Sequence, residues 1–308
     1  MKARLAIALA AWVPLAAMAP QPAAGPEIRT SDVERFYALY DSTGGRPSAV
    51  QLQAYIDGGT EGFRAFTRMR NTTGERIAQA IEKQPEVYVK ARQCADVLPA
   101  VKTRLATALA RMKQVYPEAV LAPVTLGVGR GRPVGTADRN GVMIGQESLC
   151  AVADFMNPNV EDRFVNVIAH EYVHVQHEQF FGENPQEKVL KATLIEGGAE
   201  FIGQLISGSV SYKHLAPAVR GREKVFETAF LADLDKPAIG SAWLYNHPGT
   251  AEHPADLGYW IGYRITKAYY RNASDKRQAL RDIIELRDPK AFLAKSGWRP
   301  GMTFNRAA

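Results

Sequence analysis

Three residues near the middle of the chain have the types and spacing for metal chemistry: His170, Glu171 and His174, in the string His170-Glu171-Tyr172-Val173-His174. On a helix, residues four apart project from one face about a turn apart. Two imidazoles so placed fit two tetrahedral positions of one Zn2+, each roughly 2.0–2.1 Å from a nitrogen. Glu171 sits beside that face, where its carboxylate reaches a water at the metal without becoming a ligand. A metal there lowers the pKa of such a water towards 7, and the carboxylate takes its proton. With six His in 308 residues, the string arises in about 0.7% of shuffled sequences. The spacing is therefore a signal.

The residues that follow decide the third ligand. A metzincin would continue to a Gly at position 177 and a His at position 180; here His177 and Phe180 stand instead. The other source is a carboxylate on a following helix. Glu196 and Glu200 provide one, four apart and amid apolar residues in Leu194-Ile195-Glu196-Gly197-Gly198-Ala199-Glu200-Phe201. Glu196 is assigned to the metal. Glu200 is assigned to the N–H of a ligand His, fixing its tautomer and orientation. Gly197 and Gly198 are costly in mid-helix, which predicts that another helix approaches closely there. His177 reads as a surface or capping residue, and His214 and His247 as loop residues.

The elements that must position these groups follow from periodicity. Residues 160–181 form a strong helix, with Glu161 and Asp162 in its first turn and Gly182 just past its end. A second helix covers residues 189–206. Upstream, residues 30–116 are helical text. Ser31-Asp32 caps Val33, Phe36, Tyr37 and Tyr40, which are spaced as on a helix. Residues 86–116 are one long helix or two broken near Pro99. Residues 120–128 and 141–145 read as two strands joined through Gly129-Arg130-Gly131-Arg132-Pro133. Residues 208–254 are loop-rich, and helices over residues 256–271 and 275–287 finish the chain. The expected class is α+β and predominantly helical. A helical part over residues 25–116 leads into residues 117–308, which carry a small antiparallel sheet, the helix pair bearing the site and the C-terminal helices. The two parts read as one continuous globular unit.

Composition bounds the function. Hydrophobic residues at 46% and charged residues at 23% are ordinary globular values, which excludes wholesale disorder. The net charge of +6 is scattered among acids, with no Lys/Arg block to track a phosphate backbone, so no nucleic-acid partner is expected. Residues 1–24 read as a signal peptide: Lys2 and Arg4, an apolar run over residues 5–13, then Ala17-Met18-Ala19. That run falls short of the roughly 20 residues a membrane span needs. The expected location is periplasmic or secreted, with no stable membrane anchor after cleavage. Cys94 and Cys150 form a disulfide in such a compartment or stay as two buried thiols.

Together, the His170–His174 helix and the Glu196-Gly197-Gly198-Ala199-Glu200 helix resemble the gluzincin, thermolysin-like branch of zinc metallopeptidases. More narrowly, the chain resembles an uncharacterised family of predicted zinc-dependent proteases. Val142-Met143-Ile144-Gly145, Val167-Ile168-Ala169, and Ala255-Asp256-Leu257-Gly258-Tyr259-Trp260-Ile261-Gly262-Tyr263 add to that likeness. The resemblance implies a zincin-like fold, one Zn2+ and a peptide or protein substrate. It departs from thermolysin in having Glu200 where an Asp is usual, and it lacks the Gly-x-Met-Glu-Asn element of the large aminopeptidases. In such enzymes an edge strand ahead of the metal helix binds extended substrate, which points to residues 141–146. A donor for the developing oxyanion is sought among His253, Tyr259, Tyr263 and Arg264, with Tyr263 favoured. The function expected is an exported zinc-dependent peptidase with Glu171 as general base. The alternative is a non-catalytic or single-partner binding protein that retains the fold, against which the intact Glu171 argues.

Overall fold

A computed structural model describes residues 25–131, 134–151, 157–177 and 186–304. The signal-peptide reading, Phe180 and Gly182 lie outside the described residues. In the N-terminal part, a short strand β1 (Ile28–Arg29) leads into α1 (Ser31–Ser42), α2 (Ala49–Asp57), α3 (Glu61–Met69) and α4 (Gly74–Lys83). Side-chain oxygens start three of these helices: Ser48 in a capping box with Gln51, Thr60 and Thr73. The stretch read as one helix or two is two. Helix α5 (Pro85–Cys94) passes through a 3-10 turn into α6 (Leu98–Val115), with Pro99 in the first turn of α6, where its missing N–H costs nothing.

The sheet corrects the expected topology. Strands β2 (Val124–Gly127), β3 (Gly135–Asp138) and β4 (Gly141–Gly145) join β1 in the order β1-β2-β4-β3. Only β3 and β4 are antiparallel; β1–β2 and β2–β4 are parallel, so the sheet is mixed. The two strands expected as a pair are indeed neighbours, but β3 lies between them in sequence. It is short and largely polar, and it turns into β4 through Arg139-Asn140. Asn140 N–H donates to Asp138 Oδ1 at 2.8 Å, and Gly141 takes the positive φ that closes the turn. Strand β4 is fully buried between β2 and β3, so the open edge on this side belongs to β3 and not to residues 141–146. Gly145 N–H donates to Val134 C=O, which fixes the hydrogen-bonded pairs. By alternation, Gly135 and Ala137 turn their backbone N–H and C=O groups away from β4.

After β4 come α7 (Gln146–Ala151), α8 (Val160–His174), α9 (Val189–Ser207), α10 (Leu215–Ala218), α11 (Glu223–Leu231), α12 (Leu257–Asn272), α13 (Lys276–Glu285) and α14 (Pro289–Ser296). Helix α8 is shorter than expected. It stops at His174 because Gln176 turns back, its side chain exchanging hydrogen bonds with the Val120 backbone at 2.7 and 3.1 Å. Its start is held as the sequence suggests. Asn159 caps it, and Arg104 of α6 grips Glu161 and Asp162 at 2.8 and 2.9 Å. Helix α9 packs between α8 and α12. A Cβ at Gly197 would fall 2.0 Å from the Gly262 carbonyl carbon, so only glycine admits this crossing. Gly198 meets only an Ile283 methyl at 3.1 Å. One cluster of buried apolar side chains runs from Val33 and Phe36 through Leu126, Ile168 and Ile202 to Trp298. Cys94 and Cys150 are joined by a disulfide that ties α5 to α7. Among the described residues no helix is long and apolar enough to cross a membrane.

Candidate metal centre

Helix α8 lies under the sheet, and its last two turns carry His170, Glu171 and His174; α9 crosses it with Glu196 and Glu200 turned inward. His170 Nε2 and His174 Nε2 lie 3.1 Å apart. Glu196 Oε2 lies 3.3 Å from the first and 3.2 Å from the second. Three donor atoms at the corners of a tetrahedron with bonds of 2.0–2.1 Å would be separated by about 3.3 Å. The observed triangle matches that spacing, and its borderline nitrogen and hard oxygen donors are a zinc set. His170, His174 and Glu196 are thus buried, convergent and fitted to one divalent cation.

Glu200 stands behind the triangle. Its Oε1 lies 2.8 Å from His170 Nδ1, on the opposite side of that ring from Glu196. The same carboxylate accepts the Ser211 and Tyr212 N–H groups at 2.9 and 3.3 Å and the Ser211 hydroxyl. These bonds leave Glu200 little freedom and aim the ring it touches. The longer Glu side chain reaches the ring without difficulty. Tyr259 of α12 stacks on His170 with ring centroids 5.8 Å apart, and Tyr212 stacks on Tyr259 at 4.1 Å.

The electrostatics are those of a pocket built for a cation. Burial would favour a neutral His170, but its bonds to Glu196 and then Glu200 pull its pKa up to about 10. Burial likewise opposes ionised Glu196, yet the neighbouring His174 and the bonds from both rings hold its carboxyl well below the usual range. Burial pushes the Glu171 carboxyl up, partly offset by His174 and His170. A methyl at Gly135 would sit 3.3 Å from Glu171 Oε1, which places the open strand β3 directly against that carboxylate.

Other expectations fare differently. Tyr263 is not brought to the cluster: its hydroxyl donates to Gln204 at 2.6 Å and accepts from Lys267 at 3.0 Å. Arg264 is committed to Glu227 at 2.5 Å and to the Met302 carbonyl. His253 packs edge-on against Phe226 and Trp243. His177 is buried, its Nδ1 3.2 Å from His174 Nδ1, because the chain folds back after α8. Burial and then the neighbouring His174 lower its pKa to about 3. The hydroxyl that does reach the cluster is Tyr245, which donates to Glu196 Oε1 at 3.0 Å. It sits in the proline-rich loop, clipped there by Asp256, which accepts the Tyr245 N–H at 2.7 Å and pairs with His247 at 2.6 Å. Both Tyr245 and Asp256 have positive φ. No periodic pattern marks such a loop residue; the nearby Pro248 and Asp256 were the only local signals.

The fold and the cluster define a protein with a buried two-histidine, one-glutamate cation site. Residues 146–283, which hold every member of that cluster, match the model of a family described as Predicted Zn-dependent protease (DUF2268). No curated protein and no solved structure matched the chain.

Proposed function

We infer that the protein is a zinc-dependent peptidase in which His170, His174 and Glu196 hold one Zn2+ and Glu171 is the general base. The observation that carries this reading is the donor triangle of 3.1–3.3 Å with Glu171 on the next residue of the same helix. A zinc ion held by these residues supplies Lewis acidity and lowers the pKa of water in its site towards 7. Glu171 takes the proton of the attacking water and returns it to the leaving amine. Glu200 holds His170 in the tautomer whose Nε2 is free to ligate. Tyr245, and not Tyr263, stands where a hydroxyl can meet charge developing on the substrate carbonyl. The open edge of β3 offers the Gly135 and Ala137 backbone to an extended peptide, next to the base.

We read the chain as exported. The N-terminal pattern of Lys2, Arg4 and an apolar run supports this, as does the Cys94–Cys150 bond, which suits an oxidising compartment. The test is to purify the chain, measure zinc by elemental analysis and incubate it with a mixed peptide library before and after chelation. One equivalent of zinc, with cleavage lost on chelation and regained on adding Zn2+, is the result expected. A chain that takes up no zinc on reconstitution would end the reading.

A further inference from the structure

Two arginines stand beside this site without a carboxylate partner. Arg70 ends α3 and Arg130 lies in the loop after β2; Arg130 Nη2 donates to the Arg70 backbone carbonyl at 3.1 Å, which brings the Arg130 guanidinium against the end of α3. Neither guanidinium forms an ion pair among the described residues, and the Nε of each is enclosed with no acceptor. Arg29, Arg35, Arg92, Arg104, Arg264 and Arg281, by contrast, all meet acids. A half-buried guanidinium left unpaired costs free energy that a carboxylate ligand would recover.

Their place relative to the cleft follows from contacts. Met69, next to Arg70, touches Thr136 of β3, with Sδ 3.9 Å from Oγ1. Thr136 adjoins Gly135, which lies against Glu171. The end of α3 that carries Arg70, the open strand and the general base therefore adjoin one another in turn. Resting on the peptidase reading above, we propose that Arg70 and Arg130 form an anion subsite that captures a carboxylate of the substrate peptide lying along β3. Planar, forked guanidinium groups suit bidentate carboxylate recognition. The carboxylate is either the peptide's C-terminus or an acidic side chain. The overall net charge of +6 favours approach of such peptides.

The experiment uses four fluorescently labelled Ala/Gly octapeptides, with a central Glu or Gln and a free C-terminal acid or amide. Binding is read by anisotropy on zinc-loaded Glu171→Gln protein, so that the probe is not consumed. We expect one or both carboxylates to tighten binding about tenfold over the neutral peptide. A gain that follows the terminus assigns the C-terminal carboxylate, and one that follows Glu assigns the side chain. In the Arg70→Gln/Arg130→Gln double variant the preference should fall below about twofold, with neutral-peptide affinity and zinc content unchanged. Should that variant not fold, salt decides on the unmutated arginines: the preference must shrink as ionic strength rises. Equal binding of all four peptides, a preference that survives the double variant, or one indifferent to salt overturns the subsite. Zinc content and library cleavage are measured separately, so failure of the peptidase reading is not confused with failure of this one.

Discussion

Tyr245 is the residue on which the chemistry of the site is most open to test. Its hydroxyl donates to Glu196 Oε1 at 3.0 Å, while the imidazole nitrogens face the other oxygen, Oε2, so removing it should spare the metal. Tyr245→Phe is expected to lower kcat about a hundredfold with zinc content unchanged. An unchanged kcat would remove Tyr245 from the reaction. His170 yields a second expectation, in pH. With its pKa pulled up to about 10 in the metal-free protein, the ring holds a second proton at neutral pH, and a ligand nitrogen must be bare. Zinc binding therefore expels about one proton at pH 6–8, and affinity should rise about tenfold per pH unit across that window. The rise should level off as pH approaches the raised pKa. Competition titration against a chelator measures this directly; a flat profile would contradict the pairing of His170 with Glu196 and Glu200 as drawn.

Elements rather than residues set the precision of the site, and the crossing of α9 with α12 is the tightest point. Gly197→Ala would drive a methyl into the Gly262 backbone and should cost about 3 kcal/mol. Gly198→Ala meets only a side-chain methyl and gains helix propensity, so its effect should be small. Thermal denaturation of the two variants separates them; equal effects would refute the close approach. Periodicity made the helices legible. The spacing of His170, His174, Glu196 and Glu200 marked one face on each of two helices, and Glu161 and Asp162 marked the first turn of the first. The sheet was less legible, because Gly135-Thr136-Ala137-Asp138 has no apolar alternation and its partner is set by tertiary packing. Tyr245 was invisible for a related reason: its position depends on a buried Asp256 eleven residues downstream and on positive φ at both residues. Tyr263 was misjudged because helical spacing gives a face but not which neighbour, here Gln204 and Lys267, takes the hydroxyl.

Across the whole molecule, the helices of residues 31–115 brace the site at a distance. Helix α6 clamps the start of α8 through Arg104, and the Cys94–Cys150 bond pins α5 to α7 just after β4. With a sequence separation of 56, the two cysteines close a loop worth about 4 kcal/mol in the chain-entropy account. A Cys94→Ser/Cys150→Ser variant should lose about that much stability to urea while still binding zinc, and unchanged stability would show the bond to be incidental. On the proposed reading, this scaffold holds a metal beside one carboxylate, Glu171. The most direct test replaces that carboxylate alone: Glu171→Gln should retain one zinc per chain, fold as the unmutated protein does, and lose peptide cleavage by at least about a thousandfold. Cleavage that persists in a zinc-loaded Glu171→Gln protein would contradict the account.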